Sequence, residues 1–131
     1  MATLPVYELS NLDGVRVSSP QAEGALVCFI KEDCPTCQEV MPVLDAFFAQ
    51  YGEHMPVQVI GQTQEGNSAL DAAFSPSFSI LDDSALQVSF AADIETVPTL
   101  LHTDANGNEL TRLVGFVKDE WQTMTSELDA L

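Results

Sequence analysis

Residues 25–37, Ala25-Leu26-Val27-Cys28-Phe29-Ile30-Lys31-Glu32-Asp33-Cys34-Pro35-Thr36-Cys37, carry the reading of the fold. Ala25 to Ile30 is apolar without alternation, the pattern of a strand buried on both faces inside a parallel or mixed sheet. Pro35 suits the first position of a helix, where its missing N–H would have had no partner anyway. From Pro35 to about Tyr51 the apolar residues Val40, Val43, Leu44, Phe47 and Phe48 recur at helical spacing, and Gly52 closes the segment. A central strand therefore runs into a long helix, interrupted or kinked near Pro42, and Cys34-Pro35-Thr36-Cys37 lies at their junction.

Working outward, Val6 to Leu9 and Val15 to Val17 predict two short strands around the turn Asn11-Leu12-Asp13-Gly14. Val57 to Ile60 predicts a second core strand. Asn67 to Phe74 predicts a helix capped by Asn67 or Ser68 and broken by Ser75-Pro76-Ser77. Phe78 to Leu81 reads as extended and Ser84 to Ala91 as a short helix. Pro98 to Thr103 and Leu110 to Phe116 read as antiparallel strands joined by Ala105-Asn106-Gly107-Asn108. Lys118 to Leu131 closes the chain as an amphipathic helix with Trp121, Met124, Leu128 and Leu131 on one face. A hairpin, a βαβ core and a final ββα unit predict an α/β domain spanning residues 1–131, with a central mixed sheet flanked by helices on both faces. Sites in such sheets lie at the carboxyl ends of strands, which is where Cys34 falls.

Charge removes several function classes. Twenty acidic residues stand against Arg16, Lys31, Arg112 and Lys118, a net charge of -16, which argues against nucleic acid or anionic lipid as a partner. The acids are scattered, as on a solvated surface; the near absence of lysine also raises adaptation to high salt. The apolar runs are too short to cross a bilayer, so no membrane insertion is expected, and the N-terminal residues lack a signal pattern. A cytoplasmic monomer is the expectation, or a periplasmic one if a signal segment was removed.

Three cysteines, an odd count, argue against a disulfide framework and leave the C-x-x-C pair as chemistry. A thiolate is the nucleophile of disulfide exchange, and free N–H groups with the macrodipole favour negative charge at a helix N-terminus. Cys34 is therefore the candidate nucleophile, and Cys37, one turn along, can resolve a mixed disulfide. Glu32 and Asp33 oppose a thiolate there, with Lys31 a partial offset. The same spacing could be half of a zinc site, but His54 and His102 form no metal-type cluster, so neither metal nor cofactor is expected. Cys28, inside the buried strand, reads as a small core hydrophobe.

The segment Leu26 to Cys37, with Pro42 in the next helix and Thr96-Val97-Pro98-Thr99 later, resembles the thioredoxin superfamily. The hairpin around Tyr7-Glu8-Leu9 and Leu12-Asp13-Gly14, the span Phe78 to Asp83, and Asp104-Ala105-Asn106-Gly107 look like its TlpA/ResA branch, so that nearly the whole chain from Leu4 is covered. The resemblance implies a thioredoxin fold with an N-terminal β-hairpin extension and a strand–helix insert. It implies Cys34 as attacking thiol, Cys37 as resolving thiol, and a cis proline at Pro98 facing them. Substrate contacts would come from Pro35, Thr36, Pro98 and Val97, the last with backbone groups open to an extended segment. Gly115 matches a family glycine near the site. In the family's pattern Asp33 stands in place of a tryptophan, Cys28 in place of a buried polar residue, and Val40 at the position of the ResA branch's active-site glutamate. The function implied is thiol–disulfide oxidoreductase, a disulfide reductase served by an unidentified electron donor and acting on protein substrates. The alternatives are a non-catalytic binding module and a peroxiredoxin-like peroxidase; the threonine expected by the latter three residues before the reactive cysteine is replaced by Lys31.

Overall fold

A computed structural model describes residues 3–20 and 24–130, and its elements follow in the order β1 (Glu8–Ser10), β2 (Arg16–Ser18), β3 (Ala25–Phe29), α1 (Pro35–Tyr51), β4 (Val57–Gly61), α2 (Gln64–Phe74), β5 (Ile80–Asp82), α3 (Gln87–Ala91), β6 (Thr99–Thr103), β7 (Glu109–Val114) and α4 (Lys118–Asp129). All seven strands join one sheet of order β2-β1-β5-β4-β3-β6-β7. β3 pairs parallel with β4, and β4 with β5, while β6 runs antiparallel to β3 and to β7. The unbroken apolar run of β3 is accounted for by its central place: all five of its residues are buried.

Alternation along β3 divides the core. Leu26 and Cys28 pack with Ile30, Val59, Ile80 and the inner faces of α1, α2 and α4, whereas Val27 and Phe29 pack with Ile60, Leu101, Val88 of α3, and the N-terminal residues Leu4 and Tyr7. Helices therefore cover both faces, three on one and a single short one on the other.

α1 buries Cys37, Val40, Met41, Leu44, Phe47 and Tyr51, a stripe at the spacing of one helical face. No interruption occurs at Pro42. That residue lies on the exposed side, and the buried stripe before and after it holds the helix to the sheet. The fully buried thiol of Cys37 begins this stripe.

α2 starts three residues before the predicted start, and neither Asn67 nor Ser68 caps it. Thr63 is the cap, its Oγ1 accepting from the Gly66 amide at 2.9 Å. Asn67 instead lies buried inside the helix and donates to the Leu81 carbonyl at 3.0 Å. Its amide oxygen approaches so close that a Cβ on Gly61 would sit 1.8 Å from it, which explains the glycine ending β4. α3 begins at Gln87 rather than Ser84, because Leu86 takes a left-handed conformation with φ of 57°. Buried Asp83 accepts from the amides of Val88 and Ser89 at 3.2 and 2.9 Å, supplying the missing cap. In the hairpin both strands are shifted by one or two residues from the predicted spans, leaving Val6 and Val15 exposed. Trp121, Met124 and Leu128 bury one face of α4; Leu131, expected on that face, lies outside the described residues.

Candidate functional site

Three parts of the fold converge at the N-terminus of α1. The first is the β3–α1 junction, where Cys34 is the N-cap with extended dihedrals (φ -97°, ψ 114°) and Pro35 opens the helix. The Cys34 sulfur accepts from the Cys37 amide at 3.3 Å, the place that a serine or aspartate oxygen takes in ordinary caps. The Cys37 sulfur in turn accepts from the Lys31 amide at 3.4 Å. The two thiols differ in access: Cys34 is half-buried, and Cys37 is fully enclosed by the core.

The second part is the segment before β6. The Val97–Pro98 peptide bond is cis, and the Val97 carbonyl oxygen lies 3.6 Å from the Cys34 sulfur, which donates to it. Thr99 Oγ1 closes the turn by donating to the Thr96 carbonyl at 2.6 Å. The third part is the end of β7, where the Gly115 amide donates to the Pro98 carbonyl at 2.7 Å. Gly115 has a φ of 75° and faces open space, so glycine is favoured here by backbone conformation and leaves the surface clear. The indole N–H of Trp121 donates to the Gly115 carbonyl at 3.2 Å, and Phe116 packs edge-on against the same ring at 5.0 Å.

Of the other residues named from the sequence, Pro35 and Thr36 lie in the first turn of α1, exposed and half-buried, and Val97 and Pro98 lie in the second part, half-buried and buried. What the sequence did not reveal is the support beneath Gly115. Trp121 reads only as part of an apolar face; the sole hint of more is that an indole N–H, when buried, needs an acceptor. His54 and His102 take no part. His102 lies half-buried on β6, where burial lowers its pKa below the ordinary value against an opposing pull from Glu127. Among the described residues no group of three or more His, Cys, Asp or Glu side chains could hold a metal ion.

Burial dominates the electrostatics of the inner thiol. Cys37 is pushed up to about 12, first by desolvation, then by the hydrogen bond with Cys34 and the negative charges of Cys34 and Asp33; only the Lys31 amide opposes this. Cys28 sits on the same side of β3, in the same cluster as Cys37, and complete burial drives its thiol well above the ordinary range, with Cys37 adding to the effect. Asp33 is exposed and pairs with the Lys31 ammonium at 3.4 Å, a contact too solvated to contribute much. The Glu32 carboxylate turns the other way, against Gly66 at the start of α2, where a Cβ would lie 2.3 Å from its Oε2.

No protein-family profile and no curated protein matches the sequence. Solved structures do match. A Chlorobium tepidum protein assigned as the thiol:disulfide interchange protein DsbE superposes with a TM-score of 0.86 at 19% identity, covering 98% of this chain and 94% of that one. StoA from Bacillus subtilis gives 0.79 at 19% identity, covering 96% and 99%. A secreted Mycobacterium tuberculosis disulfide oxidoreductase homologous to Escherichia coli DsbE gives 0.74 at 18% identity, covering 92% and 95%. The fold is the thioredoxin fold in the form these proteins share, as the residues around Cys34 and Pro98 predict.

Proposed function

We propose that the protein is a thiol–disulfide oxidoreductase that reduces disulfides in protein substrates. One observation carries the reading: a half-exposed thiol caps a helix, with a second, buried thiol one turn behind it. The Cys34 thiolate attacks one sulfur of a substrate disulfide. A Cys34–substrate S–S bond forms, the substrate S–S bond breaks, and the leaving sulfur takes up a proton. Cys37 then loses its proton and attacks the Cys34 sulfur, so that the Cys34–Cys37 disulfide forms and the second substrate thiol departs. Two electrons pass from the pair to the substrate, and a reducing dithiol of the electron donor restores the pair.

The shifted pKa of Cys37 fits this order. Before attack its proton is held by burial and by the charges of Cys34 and Asp33; once Cys34 is bound in the mixed disulfide, the Cys34 charge is gone and deprotonation becomes easier. Pro35 and Thr36 form the rim over which the substrate lies. Val97 offers its backbone to an extended segment, and among the described residues its amide has no backbone partner. Pro98 holds that backbone opposite Cys34. A cytoplasmic location finds no support in the structural neighbours, one of which is described as secreted; the periplasmic alternative is the one favoured here. No helix among the described residues is long and apolar enough to cross a membrane.

The test is equilibration with dithiothreitol or glutathione redox buffers, followed by alkylation and mass measurement. A reversible two-electron transition near or below about -250 mV supports a reductase, whereas one near about -120 mV would make the protein an oxidant. Cys34→Ser should abolish exchange, and Cys37→Ser should accumulate covalent adducts with substrates. If no Cys34–Cys37 disulfide forms in any buffer, the enzyme reading falls and a binding module takes its place.

A further inference from the structure

We infer that the site selects disulfides whose reactive cysteine is flanked by lysine or arginine in an extended, partly apolar segment, an inference that rests on the exchange reaction proposed above. Exposed carboxylates stand beside two of the three parts that build this surface. Asp33 immediately precedes the nucleophile and is exposed. Glu95, also exposed, stands two residues before Val97, whose carbonyl contacts the Cys34 sulfur. Asp119 and Glu120, in the first turn of α4, instead line a groove with Thr111, Leu113 and Glu127.

Little positive charge answers them. Of the four cationic residues in the chain, Arg112 is engaged by Glu109 and by the carbonyls of Ala92 and Asp93, and Arg16 is tied to Glu8 in the β1–β2 hairpin at the far edge of the sheet. Lys31 lies 3.4 Å from Asp33 in a solvated contact, and Lys118 lines a groove with Phe116, Trp121 and Gln122. Between the carboxylates the surface is apolar: Val97 and Phe116 are half-buried, and Val114 and Val117 are about half exposed. An extended segment laid along Val97 would set its backbone against that residue and its neighbouring side chains beside Asp33 and Glu95. Acidic side chains there meet like charge, and basic ones meet complementary charge within a Debye length of about 8 Å. The net charge of -16 acts in the same direction at longer range.

The test uses the reduced full-length chain and two synthetic disulfide peptides identical except for lysine or glutamate on either side of the cysteine. Each rate is divided by that peptide's rate with dithiothreitol alone, which removes intrinsic reactivity. Bis(2-hydroxyethyl) disulfide serves as a neutral reference. At low ionic strength the basic peptide should react at least about tenfold faster than the acidic one, with the ratio falling towards unity near molar salt. Asp33→Asn combined with Glu95→Gln should cut the low-salt ratio at least about threefold, whatever it does to the neutral reference rate. If the neutral disulfide is reduced while the two peptides react alike, or if the ratio survives the double substitution, the inference is overturned and the exchange reaction stands. If the neutral disulfide is not reduced either, the exchange reaction itself fails and the inference goes with it.

Discussion

One face of the sheet is covered by α1, α2 and α4 and encloses Cys37 and Cys28; the other is covered by α3, five residues long, and by the N-terminal segment carrying Leu4 and Tyr7. The Cys34–Cys37 pair belongs to the thick face. There α1, packed with α2 and α4 against the sheet, buries the inner thiol completely while the outer one stays half-open at the helix end. On the thin face Phe90 and Val6 remain 88% and 85% exposed, because among the described residues no element lies beyond α3 to cover them. Burial that encloses the inner thiol and burial that only seals the sheet are thus separated by the plane of β3.

This asymmetry can be broken by paired substitutions read in chemical denaturation. Leu44→Ala on the thick face, at 0% exposure, should cost about 3 kcal/mol. Arg112→Ala should cost about 2 kcal/mol, since it leaves the carbonyls of Ala92 and Asp93 at the end of α3 without their charged donor and strands Glu109, whose side chain is 9% exposed. Val88→Ala on the thin face should cost about 1.5 kcal/mol. Equal losses for Leu44 and Val88 would contradict the division into a thick and a thin face. Thr63→Ala removes the α2 cap and should cost about 1 kcal/mol.

An effect confined to alkaline pH sharpens the comparison at the thiol itself. The folded-state pKa of Cys37 lies at about 12 against an ordinary 9.0, so the folded state holds this proton more tightly than the unfolded chain. Its contribution to stability is complete below pH 9 and is lost as pH rises from about 9 to about 12. The reduced protein should therefore lose stability over that window, and Cys37→Ala should lose it less steeply in parallel denaturation curves.

Part of the molecule was legible because its signals are local. The buried strand, the long helix and the cysteines at their junction all follow from residues 25–51, where periodicity and N-terminal helix chemistry agree. The cap of α2 was misread for a physical reason as well. Gly66 and Asn67 carry loop signals, and only the tertiary packing shows that Asn67 enters the core to bond Leu81 while Thr63 does the capping. Ser84 failed as a helix start in the same way, since the true cap is the buried carboxylate of Asp83, several residues from the amides it serves.

The sequence by itself determined that Cys34 would stand at a helix N-terminus with Cys37 one turn behind it, because the cap, the first-turn proline and the apolar stripe act over a few residues. Tertiary structure alone decided the rest of the site. Val97 lies 63 residues from Cys34 in the chain and reaches its sulfur because β6 pairs antiparallel with β3. Gly115 reaches Pro98 because β7 pairs with β6, and Trp121 holds Gly115 because α4 folds back onto the thick face. Contacts of that span depend on strand order and helix docking, which are set by the burial of the whole core and by no single stretch of chain.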